Sequence, residues 1–169
     1  EKKIEYLHQN IKCIVKKREV GGDVSTFAAG LKAALRQDAD VMVVGEILDA
    51  DTLETALQAA ETGHLVITSL HAADTIQVFD RILSLFALQH RELFCSRLSH
   101  SISAVITQKL LPTKDGFGRI VASETCIANT AVKRIVRSGE FTQLTSVIQT
   151  GAKFKMQLMR DSLDRIFEH

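Results

Sequence analysis

No run of 18 consecutive apolar residues and no cleavable leader pattern occurs in this chain of 169 residues, which leaves out a membrane-crossing helix and a secretory signal. Cysteine is scarce. Cys13, Cys95 and Cys126 are an odd number, far apart and without a Cys-x-x-Cys pair. Neither a disulfide framework nor a zinc knuckle is indicated, and a reducing compartment is the simpler setting. An excess of one charge is missing as well: 21 basic and 20 acidic residues leave a formal charge of +1. That gives no electrostatic ground for binding nucleic acid or an anionic membrane. There is one proline, Pro112, and neither an internal repeat nor a low-complexity tract. The phosphate loop Gly-x-x-x-x-Gly-Lys-Ser/Thr is absent, so no backbone cradle for phosphates can be read. The chain has no initiator methionine and opens in mid-pattern, as expected of a piece of a longer protein. What is present is ordinary: 46% hydrophobic and 24% charged residues, the balance of a globular domain with chain enough for one core.

Residues 41 to 71 organise the rest. Val41 to Val44 form an apolar run that ends at Gly45-Glu46. Asp51-Thr-Leu-Glu54 has the pattern of a capping box, with Leu53, Ala56, Leu57 and Ala60 as one helical stripe behind it. Gly63 is placed to end that helix. A second apolar run, Leu65 to Leu70, stops at His71. Strand, polar tip, helix, glycine, strand and polar tip make a βαβ unit of a parallel sheet. Such sheets carry their chemistry past the carboxyl ends of the strands, where Glu46 and His71 fall. The lack of polar alternation in Val41–Val44 predicts burial on both faces.

Upstream, residues 1–20 mix charged and apolar positions and read as short strands or strand and loop. Gly21-Gly22-Asp23 punctuates, and Phe27, Leu31, Ala34 and Leu35 recur at helical spacing, with Asp23 or Ser25 available as cap. Downstream, Asp74-Thr-Ile-Gln77 is placed to cap a helix that buries Val78, Phe79, Ile82 and Leu83. A longer helix is expected over 92–109, its stripe running through Phe94, Leu98, Ile102 and Val105-Ile106. Lys109 to Thr125 then reads as a hairpin with Pro112 near its edge. Helices are expected over 130–137, 141–149 and 155–167. The one internal boundary expected lies near 110, dividing 1–110 from a smaller tail, 111–169.

Glu46 admits two readings. A carboxylate closing a buried strand often caps the next helix. It can also hold a Mg²⁺-bound water or polarise an attacking water beside a phosphate chain. His64 and His71 invite a metal site with Glu46 and Asp49, but seven residues along a strand place the two rings at different ends of it. His71, beside Thr68 and Ser69, is better placed to read a phosphate or hold a water; a hydrogen-bonded structural histidine is the alternative. The cysteines lack an evident activating partner. Arg18, Arg36, Arg81, Arg134 and Arg137 read as surface or salt-bridging groups, unless a ring-shaped NTPase uses one across a subunit interface.

Leu35-Arg36-Gln37 through Gly45-Glu46-Ile-Leu48-Asp49, together with Ala59-Ala-Glu61-Thr-Gly63-His64 through Thr68-Ser-Leu-His71, resembles the secretion ATPases of type II and type IV pilus systems. The retraction (twitching motility) branch is the most similar. The resemblance runs over essentially the whole chain. It implies a RecA-like α/β P-loop NTPase core lacking its Walker A segment, with a parallel sheet and flanking helices, followed by a hairpin and a helical tail. Gly45-Glu46 matches the atypical Walker B box, with Glu46 supporting Mg²⁺ through water, and Thr68 to His71 matches the histidine box. Glu1-Lys-Lys-Ile4-Glu5 matches the aspartate box, typically Glu-Asp-Pro-Ile-Glu, whose first Glu is the catalytic base. Glu1, Glu46 and His71 are thereby the catalytic candidates, and Arg18, Arg36, Thr68 and Ser69 the nucleotide-binding ones. Ala131-Val-Lys-Arg134-Ile-Val-Arg137 resembles the carboxyl-terminal motif of the retraction members, with Ala131, Arg134 and Arg137 in a coupling role.

The implied whole is a cytoplasmic hexamer, peripheral at the inner membrane, that uses ATP and Mg²⁺ to work against a pilus platform protein and binds no nucleic acid. Three departures stand out. Lys2-Lys3 replaces Asp-Pro of the aspartate box, Leu48 stands where the family has Arg, and Lys155 occupies a usual Gly position. The first two motivate an alternative: a structural or regulatory ring subunit that hydrolyses ATP poorly. A metal hydrolase built on the two histidines is a third class.

Overall fold

In the computed structural model, which describes residues 1–168, the chain divides into two compact units, Glu1–Leu70 and the part from His71 onward. The division falls upstream of the boundary expected near 110. The physical reason is that the two helices after His71 bury their apolar faces with the hairpin and tail.

In the first unit, α1 (Phe27–Ala34) precedes β1 (Val41–Val44), α2 (Ala50–Glu61) and β2 (Leu65–Thr68). β1 and β2 pair in parallel, Val41 opposite Leu65 and Val44 opposite Thr68, the βαβ arrangement expected. The caps differ from those anticipated. Thr26, not Asp23 or Ser25, accepts from the Ala29 amide and starts α1. Asp23 instead closes the preceding turn by accepting from the Glu19 amide. Asp49 starts α2 by accepting from the amide and hydroxyl of Thr52. That leaves Asp51 free to pair with Lys32 of α1 at 2.9 Å. Gly63 follows α2 at φ +99°, a conformation that favours glycine.

Two expectations fail in this unit. Residues 1–19 form no strand; the one pairing nearby is an isolated bridge between Val20 and Val24. β1 is not buried on both faces: Met42 and Val44 are buried while Val41 and Val43 are exposed by 53% and 64%. The two helices cover one face of the strand pair, and within this unit the other face carries the exposed Val41, Val43, Leu65 and Ile67.

The second unit contains α3 (Thr75–Ser84), α4 (Leu88–Ser101), the antiparallel hairpin β3 (Ala104–Pro112) and β4 (Arg119–Ile127), then α5 (Thr130–Ser138), α6 (Leu144–Gln149) and α7 (Met159–Phe167). Asp74 caps α3 through the Gln77 amide, as its position predicts. The expected helix over 92–109 is corrected at both ends. It starts at Leu88 and stops at Ser101, and Val105, Ile106 and Thr107 belong to β3. These β-branched residues suit a pleated strand, and β4 supplies the partner. One core joins Phe79, Cys95 and Cys126 to Val132, Ile135, Val136, Phe141, Leu144 and Ile148. Within it the rings of Phe79 and Phe141 stack at 4.9 Å. Burial pushes the Cys126 thiol up to about 11 and raises that of Cys95. Both are core residues without nucleophilic activation.

Lys155 sits in the left-handed region at φ 61°, between a 3₁₀ turn (Ala152–Phe154) and α7. A Cβ costs roughly 1–2 kcal/mol there, so glycine would suit this position on backbone grounds. Lys155→Gly is expected to raise stability by about 0.5–1 kcal/mol, the glycine's entropy offsetting part of the relief. The urea midpoint would measure it; an unmoved or lowered midpoint refutes the strain.

Candidate functional site

The first unit places its candidate residues at the carboxyl ends of β1 and β2. Beyond Val44 the chain turns at Gly45-Glu46. The Ser69 hydroxyl donates to the Gly45 carbonyl, and the Ile47 amide donates to the Ser69 carbonyl at 3.3 Å. Ser69 thus grips the residues on either side of Glu46, its hydroxyl donating to backbone and keeping its acceptor lone pairs. The register Val44 opposite Thr68 brings the two strand ends level and allows this bracing.

Glu46 itself is half-buried, and no side-chain partner engages its carboxylate among the described residues. Asp49 takes the capping role at α2, so the helix-cap reading of Glu46 does not apply. A carboxylate held on braced backbone with free oxygens is available to hold a metal-bound water or to orient one. Thr68, opposite Val44 in the pairing, is exposed and its hydroxyl makes no bond among the described residues.

Glu1 lies beside this turn. A Cβ placed on Gly45 would stand 3.7 Å from Glu1 Cα and 4.0 Å from the Phe27 ring. The Glu1 nitrogen donates to the Arg18 carbonyl at 2.8 Å, and the Val20 amide donates to the Glu1 carbonyl at 2.8 Å. The segment carrying Arg18 is therefore laced to Glu1. Arg18 Nη2 donates to Gln37 Oε1 at 2.9 Å, and Arg36, next in sequence, is exposed. Arg36, Gln37, Lys32 and Ala33 line an open depression of about 460 Å³. With Lys32 paired to Asp51, Arg36 is the cation of that depression that no side-chain partner engages among the described residues. The first unit thus assembles Glu1, Arg18 and the Gly45-Glu46 turn, with Arg36 beside the Arg18–Gln37 contact. Leu48 is exposed by 55% on the same loop.

His71 opens the second unit. Its carbonyl accepts from Arg81 Nη1 at 2.7 Å, a clamp by α3 that sequence reading left among surface arginines. Its imidazole makes no bond among the described residues. His64, by contrast, has Nδ1 within 3.0 Å of the Ala59 carbonyl and 3.2 Å of the Thr62 hydroxyl, and serves the end of α2. Among the described residues no three His, Cys, Asp or Glu side chains gather as a metal site, so the geometry lends the two-histidine reading no support.

The motif at 131–137 lies on α5. Ala131 and Arg134 are exposed, and Arg134 has no partner among the described residues. Arg137 is exposed but docked: Nη2 lies 2.8 Å from His100 Nε2 and Nε 3.5 Å from the Ser99 hydroxyl, both at the end of α4. Lys133 Nζ reaches the His100 carbonyl at 3.4 Å.

The residue that sequence reading missed altogether is Glu124. It is 6% exposed and accepts from the amide and hydroxyl of Thr75 at 2.8 and 2.7 Å and from the Met159 amide at 3.3 Å. The signal was available: with period 2 along β4, an acid shares the face of Ala122 and Cys126, both buried.

Residues 1–158 match the family described as type II/IV secretion system protein. The chain is 44% identical over 166 residues to a twitching motility protein of Neisseria gonorrhoeae, covering 98% of this chain and 44% of that protein. It is 40% identical over 159 residues to the type IV pilus retraction ATPase PilT of Pseudomonas aeruginosa, covering 94% and 46%. A crystal structure of the pilus retraction motor PilT with bound ADP superposes with a TM-score of 0.87 at 42% identity, over 98% of this chain and 46% of that one. The fold is accordingly the RecA-like α/β core, without its Walker A segment, followed by the hairpin and helical tail. The chain spans a little under half the length of these relatives. Among the described residues no helix is long and apolar enough to cross a membrane.

Proposed function

Because the chain belongs to the type II/IV secretion system protein family, we propose that it is the carboxyl-terminal part of the motor domain of a pilus ATPase. The intact protein would form a hexameric ring in the cytoplasm, peripheral at the inner membrane against a pilus platform protein, and couple ATP hydrolysis to retraction. The reading is carried by Glu46, whose unpartnered carboxylate stands on a turn braced by Ser69 and flanked by Glu1. A cap or ion-pair role would engage those oxygens.

The residues present fit part of Mg-ATP. One free carboxylate suits Mg²⁺ held through water, Thr68 offers a free hydroxyl, and Arg36 offers a free guanidinium. The amide cradle for the β- and γ-phosphates is not among these 169 residues. Bound Mg-ATP would supply the electrophilic phosphorus and a metal charge beside it. Glu46 would hold and orient water in the metal's shell, and Glu1 would take a proton from the attacking water. Arg18 or Arg36 would offset charge developing on phosphate oxygens from across a subunit interface, and His71 would sense the terminal phosphate. By role, residues 1–110 form the core of this motor and 111–169 its coupling element.

Leu48 favours a second reading, a ring subunit with poor turnover, because an exposed leucine replaces a cation on the Glu46 loop. A brisk unreverted rate, not raised by Leu48→Arg, would remove it.

The α5 motif supplies the test of coupling. In the intact protein, an Arg134→Ala, Arg137→Ala double variant is expected to keep ATP turnover within about twofold and to abolish pilus retraction in cells. Equal loss of both would place the motif in the hydrolytic cycle and overturn the division of roles.

A further inference from the structure

Glu124 carries a charge in the core of the second unit at 6% exposure, and among the described residues no cation pairs with it. An isolated buried carboxylate costs several kcal/mol. Here the compensation comes from three donors, and their origin is the informative point. Thr75 is the first residue of α3 and Met159 the first residue of α7. One carboxylate oxygen takes the amide and hydroxyl of Thr75; the other takes the Met159 amide. Two helix amino ends, each with unsatisfied amides and a positive dipole end, therefore converge on one negative group.

The two helices lead to different places. Four residues before Thr75 is His71, whose carbonyl is clamped by Arg81 of the same helix α3. α7 is fixed to β4 on its own side: the Ser123 amide donates to the Ser162 hydroxyl, and Thr125 and Gln157 exchange backbone bonds at 2.9 and 3.2 Å. Directly across the hairpin from Glu124 is Thr107, also buried, whose hydroxyl has no partner. It is a spare donor beside a group that would need one if either helix end withdrew.

We propose that Glu124 is a positioning residue that ties the segment carrying His71 to the amino end of α7, so that displacement at one is passed to the other. Withdrawing α7 leaves a buried charge on the Thr75 donors alone; withdrawing α3 leaves it on one amide. Each helix end thus fixes the carboxylate in the orientation that the other needs, and loosening one frees it to turn away from the other. The tie stands on these contacts alone. Its use, passing the state sensed at His71 to the carboxyl-terminal helices, rests on the proposed function.

The tie is tested by hydrogen exchange on the intact protein. Thr75→Val removes one donor at α3, and it is expected to speed exchange of the Met159 and Ser162 amides, bonded to Glu124 and to the Leu158 carbonyl, about fivefold, through opening of that end of α7. Glu124→Gln keeps an oxygen for Thr75 but turns an amide donor toward the Met159 N–H. In that background Thr75→Val is expected to add less than about twofold at α7, the signature of a coupling carried by Glu124. Exchange that changes only around residues 74–78, or equally in both backgrounds, overturns the proposal. If Glu124→Gln does not fold, the absence of any effect of Thr75→Val at α7 overturns it alone. Turnover is read separately: Glu124→Gln is expected to lower kcat about fivefold with KM for ATP within about twofold. Unchanged kcat beside coupled exchange would remove the tie from the cycle. An unsubstituted protein without ATPase activity would overturn the proposed function and leave the tie standing.

Discussion

Glu46→Gln in the intact protein is expected to lower ATP turnover by about 10²-fold, close to 3 kcal/mol of transition-state stabilisation. Glutamine keeps the size and one oxygen and removes the charge. The structural cost should be small, because the Glu46 side chain is half-buried and bonds to no other group among the described residues. The grip of Ser69 on Gly45 and Ile47 runs through backbone and one hydroxyl, none of which the substitution touches. Folding and ring formation should survive, and nucleotide affinity should change far less than turnover. His71→Ala is expected to cost less in turnover, since a phosphate-sensing donor shares the developing charge with other groups. Steady-state ATPase rates, equilibrium nucleotide binding and light scattering on both variants would measure this. Near-normal turnover of Glu46→Gln defeats the assignment of a hydrolytic role to that carboxylate.

The parts of this site that were legible in sequence are those set by local pattern. An apolar run ending in Gly-Glu marks a strand end whatever surrounds it, and β1 with its acid follows from residues 41–46 alone. The same holds for Asp74 at α3, where cap and stripe lie within one turn of each other. What local pattern leaves open is competition between neighbours of like chemistry. Asp49 and Asp51 are equally good caps in isolation; Lys32, 19 residues upstream, takes Asp51 and leaves Asp49 for the helix. Phe94, Leu98, Ile102 and Val105 keep helical spacing through a point where the chain turns extended, Ile102 having ψ 134°. Only pairing with β4 distinguishes strand from helix there, and that contact is not local. Glu124 is the sharper case. Alternation places its side chain inward, but the donors that make an inward carboxylate tolerable come from residues 49 and 35 positions away. A sequence read in windows sees the acid and not its partners.

Gly151→Ala is expected to destabilise the second unit by about 1–2 kcal/mol, although glycine here is not needed for its backbone angles, φ being −88°. The constraint is space. An added Cβ would overlap Met156 Sδ, stand 3.0 Å from Met156 Cβ and lie 2.9 Å from the Val147 carbonyl oxygen. The sulfur end of a methionine can rotate away; its Cβ and a helix carbonyl cannot without moving the chain. Met156 is 5% exposed and packs with Leu144 and Ile148, so yielding there disturbs the core. The turn is also closed on Gly151, whose carbonyl accepts from the Phe154 amide at 2.8 Å and the Met156 amide at 3.3 Å. Overpacking of this kind costs roughly 1–3 kcal/mol, and the lower entropy of the unfolded alanine chain offsets about 0.4–1 kcal/mol of it. Gly22→Ala is the control. Its Cβ would meet nothing nearer than Glu19 Cβ at 4.0 Å, and its effect should stay within about 0.5 kcal/mol. Urea unfolding of both variants, with the slope unchanged and the midpoint lowered only for Gly151→Ala, is the expected result. An unmoved midpoint for Gly151→Ala would mean that residues 147–156 do not pack as described, and that the glycine at 151 has some reason other than the missing room for a methyl group.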